Sequence, residues 1–244
     1  IDGDDKPDND RTYPTAPTLN GICTNGIRFT AAWSAPVCSP TRATILTGRY
    51  GFRTGMGSVV TKKTQIQLSE TTLPELLTPA GVAAANIGKW HLGEGDPIGG
   101  ANAPNKAGWP HFAGTLGGTL DTYTPWERTV NGVKKTSNTY ATTANVDDAI
   151  DYMKTRSKTE PWLLWMAFNA PHSPFHKPPN ELHDSDQLNG KPPHIKNQPV
   201  LYYNAMVQAL DTEVGRLITW LKANGQAPTH IIFIGDNGSP GQVA

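Results

Sequence analysis

"VAAANIGKWHLG", Val82 to Gly93, is the stretch on which the fold turns. Its first seven residues are nearly all small or apolar, without alternation and too few for a helix of ordinary length. They read as a strand buried on both faces that breaks at Gly88 and passes straight into Lys89 and His91.

Two further runs share this character: "PWLLWMAF" (161–168) and "THIIFIGDNG" (229–238). Helical patterns fall between and around them. From Tyr140 to Ser157, Val146, Ile150 and Met153 suit one helical face. In 201–225 a stripe of Tyr202, Ala205, Ala209, Leu210, Val214, Leu217 and Leu221 is ended by Gly225. Shorter helices are expected from Pro40, suited to a first turn, to Thr47 with Gly48 as C-cap, and through "TTLPELLTPAG" to Gly81.

Apolar strands alternating with helices indicate the α/β class, a mostly parallel central sheet with helices on both faces. Ligands of such sheets lie beyond the carboxyl ends of the strands. The three expected strands end at Gly88-Lys89-Trp90-His91, at Asn169-Ala170-Pro171-His172 and at Asp236-Asn237-Gly238, so the candidate chemistry falls on one edge.

Residues 1 to about 26, rich in Asp, Asn, Pro and Thr, read as loop. The segment 94–139 is crowded with Gly, Pro, Asn and Trp, and reads as a substrate-side loop insertion with a hairpin around Asn131-Gly132. Trp109, Tyr123 and Trp126 in it either stack on a sugar or aryl ligand or anchor the loops. "IDGDDKPDND" looks like the middle of a loop and "GDNGSPGQVA" stops just after an expected strand. The whole of 1–244 is therefore expected to be one α/β domain, cut at both ends.

The 244 residues carry a formal net charge of +0 and are 37% hydrophobic, as expected of a globular core. A neutral balance without a Lys/Arg cluster argues against a nucleic-acid partner. No apolar run approaches the roughly 20 residues that span a bilayer, which argues against membrane insertion. Two cysteines cannot build a disulfide framework and leave the redox compartment open.

One of them, Cys38, lies in "APVCSPTRATILTGRYG" (35–51) and is open to three plain readings: a small buried hydrophobe, half of a disulfide with Cys23, or a thiol nucleophile needing a histidine base. Its neighbours add something different. A helix started by Pro40 points its amide end at Cys38, and Arg42 sits in the first turn, so the place suits an oxyanion. "NAPHSPFHKP" offers His172 and His176 at helical spacing, but Pro171, Pro174, Pro178 and Pro179 argue against a helix, so the two imidazoles need not share a face. Asp236 and Asn237 form either a simple Asx turn or a pair of oxygen donors for a hard cation such as Ca²⁺ or Mg²⁺.

"CSPTRATILTGR" resembles the signature of the sulfatase family, the formylglycine-dependent type I sulfatases of the alkaline phosphatase superfamily: Cys-x-Pro-Ser/Thr-Arg, an apolar pair, then Thr-Gly-Arg. "GKWHLG" is similar to the core of the second signature, with Val82 and Ala84 replacing its usual Tyr and Ser/Thr. The likeness runs from "NGIRFTAAWSAPVCSPTR" to "GDNG". It implies an alkaline-phosphatase-like fold and hydrolysis of an aryl or carbohydrate sulfate monoester. It further implies that a formylglycine-generating enzyme oxidises Cys38 to formylglycine, whose hydrated diol attacks sulfur. By the same likeness Arg42 stabilises the deprotonated diol, Lys89 and His172 bind sulfuryl oxygens, and His91 takes a proton from the second hydroxyl as sulfate leaves. Asp236 and Asn237 hold the divalent cation, usually calcium with magnesium as the alternative; the likeness gives His176 no role, and it reads as a loop residue that could touch substrate. A periplasmic or secreted location is favoured by the resemblance only.

Two departures stand out. The adjacent Asp pair that completes the family's metal site follows a strand; Asp4-Asp5 are adjacent with no strand before them, and Asp2 stands just beyond where a lost pair would lie. The second active-site lysine falls after Asp-Asn-Gly, past the last residue. Two rival readings remain: a phosphonate monoester or phosphodiester hydrolase of the same superfamily, and a non-catalytic remnant that binds sulfated glycans.

Overall fold

The computed structural model of the chain describes residues 13–61, 64–93, 99–226 and 228–243. In chain order its elements are α1 (Pro17–Thr24), α2 (Cys38–Thr47), α3 (Leu73–Leu77), β1 (Ala83–Lys89), α4 (Ala103–Lys106), β2 (His111–Thr115), β3 (Trp126–Val130), β4 (Val133–Ser137), α5 (Ala141–Lys154), β5 (Trp162–Ala167), α6 (Pro192–Asn197) and α7 (Pro199–Ala223). Among the described residues no helix is long and apolar enough to cross a membrane.

The five strands form one sheet in the order β4-β3-β2-β1-β5. β1 is parallel to both β2 and β5, while β3 and β4 add an antiparallel hairpin at one edge. The class is α/β, as the sequence indicates. Period-two geometry divides the side chains between two cores. On one face Ala84, Phe112 and Trp165 pack with Ala43 and Leu46 of α2 and with Trp90 and Leu92 beyond β1. On the other, Ala85, Ile87 and Ala113 meet Val146, Ile150 and Met153 of α5 and Leu217 and Leu221 of α7.

Several local rules are visible. Gly48 and Gly81 sit in the left-handed conformation after their helices, and Asn131 and Gly132 (φ 44 and 83) make the two-residue turn joining β3 to β4. Thr72 and Glu75 form a capping box on α3. α1 has no side-chain cap of its own; buried Asp211 on α7 supplies one, accepting from Thr18 N–H at 3.0 Å and Leu19 N–H at 2.7 Å.

The structure corrects four expectations. The segment 229–234 forms no strand: β1 is paired on both sides, no ladder partner reaches this run among the described residues, and Ile232 is 86% exposed. Apolar β-branched sequence supplies strand propensity but no neighbour. The segment 94–139, expected as loop, carries α4, β2, β3 and β4. Its glycine at 114 is a pairing device, because a Cβ there would drive into the carbonyl of Gly88 directly opposite. α2 starts at Cys38, with Val37 as an extended N-cap, and not at Pro40. β1 runs through Gly88 to Lys89 without breaking. Asp2, Asp4 and Asp5 lie outside the described residues.

Candidate active site

Cys38 and Arg42 come from the first turns of α2, Lys89 from the last residue of β1, and His91 from two residues further on. Helix and strand end are tied together by Arg42. Arg42 is 5% exposed, and its guanidinium donates through Nε to the Trp90 carbonyl at 2.9 Å and through a terminal nitrogen to the Lys89 carbonyl, and lies over the Trp165 ring at 5.9 Å. Desolvation lowers its pKa to about 10 against the opposing pull of Asp236 and Cys38.

Cys38 is 7% exposed, and its Sγ lies 3.1 Å from Nδ1 of His91. Both cysteines are free, which removes the disulfide reading. Lys89 is buried at the same spot; burial holds its pKa below the ordinary value, Cys38 and Asp236 oppose that shift, and Arg42 adds to it. A cation this dry meets an anion with little water to screen it.

His91 adopts a left-handed backbone (φ 49), a costly conformation for a residue with a Cβ. Gly118, in the turn after β2, closes on the imidazole; a Cβ there would lie 2.7 Å from Nδ1 and nearer still to Cε1 and Nε2. The pKa of His91 falls to about 3, chiefly by burial and then by the charges of Lys89, Arg42 and His172. The ring is therefore neutral at physiological pH.

His172 follows β5 and is exposed, near enough for its charge to act on His91. Tyr123 O–H donates to the His172 carbonyl at 2.8 Å. His176 is bound elsewhere: Nε2 meets Tyr140 Oη at 3.0 Å and Nδ1 faces the Pro174 carbonyl at 2.9 Å. A cavity of about 590 Å³ opens beside this loop, lined among others by Asp121, Tyr140, His176, Lys177 and Asn180. Trp109, Tyr123 and Trp126 are all buried, which favours packing over ligand stacking, and Tyr123 also lies along this cavity.

Asp236 and Asn237 are half-buried, and the charge of Asp236 reaches Arg42 and Lys89. The Asn237 amide N–H donates to the Gly238 carbonyl at 2.9 Å. Among the described residues no group of three or more His, Cys, Asp or Glu gathers to hold a metal ion. The oxygen donors of this pair match a hard cation in type, and their number falls short of the six or more such ions take.

Two contacts at the site escape sequence reasoning: that of Ser39 with His91, and that of Gly118 with the same ring. Neither carries a signal beyond its tertiary neighbour.

The Sulfatase family model matches residues 8–242. The chain is 31% identical over 248 residues to "Uncharacterized sulfatase YdeN" of Escherichia coli (strain K12), covering 92% of this chain and 43% of that protein. It is 27% identical over 253 residues to N-acetylgalactosamine-6-sulfatase of Rattus norvegicus, covering 91% and 45%. The crystal structure of Ps i-CgsB in complex with k-i-k-neocarrahexaose matches with a TM-score of 0.65 and 28% identity, over 79% of this chain and 46% of that one. The chain thus spans less than half the length of each.

Proposed function

Because the chain belongs to the Sulfatase family, we propose that it carries the catalytic core of a sulfatase hydrolysing a sulfate monoester, with carbohydrate sulfates as the substrate class. The observation that supports this best is the meeting of Cys38, Arg42, Lys89 and His91 in one dry pocket whose cations also feel Asp236. A relative that acts on a sulfated N-acetylgalactosamine and a similar structure that holds a neocarrahexaose favour a sugar as the alcohol part.

In this reading Lys89 and His172 bind the sulfuryl oxygens, and their preorganised charge lowers the energy of the transition state. Arg42 holds negative charge at residue 38 and keeps α2 against the end of β1. His91, held neutral, lies within hydrogen-bonding reach of residue 38 through Nδ1. Burial excludes water from the nucleophile. The buried first-turn position of Cys38, beside a ring nitrogen and two cations, fits formylglycine, which, hydrated by one water to a geminal diol, would supply a hydroxyl nucleophile and a second hydroxyl for release of sulfate. Asp236 and Asn237 would hold the divalent cation, Ca²⁺ or Mg²⁺, which acts as a Lewis acid.

The test is turnover of aryl and carbohydrate sulfates beside an aryl phosphonate and a phosphodiester, using protein whose Cys38 peptide has lost about 18 Da by oxidation of the thiol to an aldehyde. Sulfate hydrolysis that vanishes in Cys38→Ala is expected. Near-normal turnover by that variant refutes the nucleophile assignment, and phosphonate turnover exceeding sulfate turnover transfers the chain to its superfamily rival.

A further inference from the structure

We propose that Ser39 is a positioning residue for His91: its hydroxyl pins the His91 backbone and fixes the ring tautomer with hydrogen on Nδ1. Ser39 is fully buried, one residue after Cys38. Its Oγ donates to the His91 carbonyl at 3.0 Å, accepts from Val60 N–H at 3.2 Å and lies 3.3 Å from His91 Nδ1.

A hydroxyl has one proton and two acceptor lone pairs. The proton is committed to the carbonyl and one lone pair to Val60, so what faces Nδ1 is the second lone pair. Opposed lone pairs repel; the contact is satisfied when Nδ1 bears the hydrogen. The same hydrogen then points between Ser39 Oγ and Cys38 Sγ, leaving the ring lone pair on Nε2. The bond to the carbonyl also supports the left-handed backbone of His91, and Gly118 stops the ring from swinging away.

Resting on the sulfatase reading for its functional meaning, this assigns a direction to the proton. In the resting state His91 meets residue 38 as a hydrogen-bond donor through Nδ1–H, and the lone pair left to accept a proton is on Nε2. Ser39 touches no substrate and acts through His91 alone. The other charged or titratable groups that act on this ring or touch it are Cys38 and Arg42 from α2, Lys89 from β1 and His172 from the loop after β5.

The experiment is ¹⁵N NMR of histidine-labelled full chain with Cys38 unmodified, His91 being assigned by His91→Gln. Expected are a pyrrole-type Nδ1 and a pyridine-type Nε2 in the natural protein and in Ser39→Thr, which keeps the hydroxyl, with the preference lost in Ser39→Ala. An Nε2–H tautomer in the natural protein overturns the proposal without any variant, which covers a Ser39→Ala chain that fails to fold. An unchanged tautomer in folded Ser39→Ala overturns it as well. In formylglycine-bearing protein kcat of Ser39→Ala should fall about tenfold with KM held, and Ser39→Thr should restore it. Absence of sulfate hydrolysis in the natural protein counts against the sulfatase reading and leaves the NMR result standing.

Discussion

Gly118→Ala is the sharpest single perturbation of the site, because the added methyl has nowhere to go. A Cβ at this position would lie 2.7 Å from Nδ1 of His91, with two other ring atoms closer. Carbon and nitrogen settle about 3.5 Å apart, so the ring or the turn after β2 must give by about 1 Å. The ring is the constrained partner, held by Ser39 and by its own left-handed backbone. Displacement on this scale at a reacting group costs about 100-fold in rate. The assay is hydrolysis of 4-nitrophenyl sulfate by formylglycine-bearing protein, with kcat expected to fall about 100-fold and KM to change little. Urea unfolding should show a loss of about 1–3 kcal/mol from overpacking. Gly21→Ala, at a helical site with nothing within 4 Å, is the control and should leave kcat unchanged while raising stability by up to about 1 kcal/mol. A Gly118→Ala protein with natural kcat and an undisturbed His91 resonance would refute the reasoning.

Ile87→Ala removes a fully buried side chain between β1 and the helices α5 and α7, and should cost about 2–5 kcal/mol in urea unfolding without changing KM. Asp211→Ala strips two amide partners from the start of α1 and should cost about 1–3 kcal/mol, with hydrogen exchange at Thr18 and Leu19 accelerated first. Acid should act through His91. Its folded pKa of about 3 lies below the ordinary 6.5, so the unfolded chain binds the proton first. The resulting stability is complete above about pH 6.5 and declines as pH falls toward 3. In His91→Gln the acid limb of thermal unfolding should be shallower, and an unchanged limb would contradict the burial of a neutral ring.

What the chain discloses about itself depends on whether the cause is local. β1, β5, α5 and α7 are legible because apolar runs and helical stripes are written residue by residue. β2 is not: "HFAGT" holds two small residues and no β-branched pair, and it becomes a strand because Gly114 can lie against Gly88. The run 229–234 shows the reverse, strong strand propensity without a partner. The same division holds at the site. Cys38, Arg42, Lys89 and His91 are legible through their motifs, and the structure brings them together. Ser39 and Gly118 are ordinary residues whose importance lies in what touches them from 52 and 27 positions away.

The burial of α2 also imposes an order in time. Ser39, Pro40, Thr41 and Arg42 are enclosed, Cys38 is nearly so, and Arg42 is latched to two carbonyls at the end of β1. If Cys38 is the precursor of formylglycine, as proposed, the enzyme that oxidises it needs this segment extended and accessible. On the proposed reading, docking of the helix would close that window, and conversion of residue 38 would have to run ahead of folding.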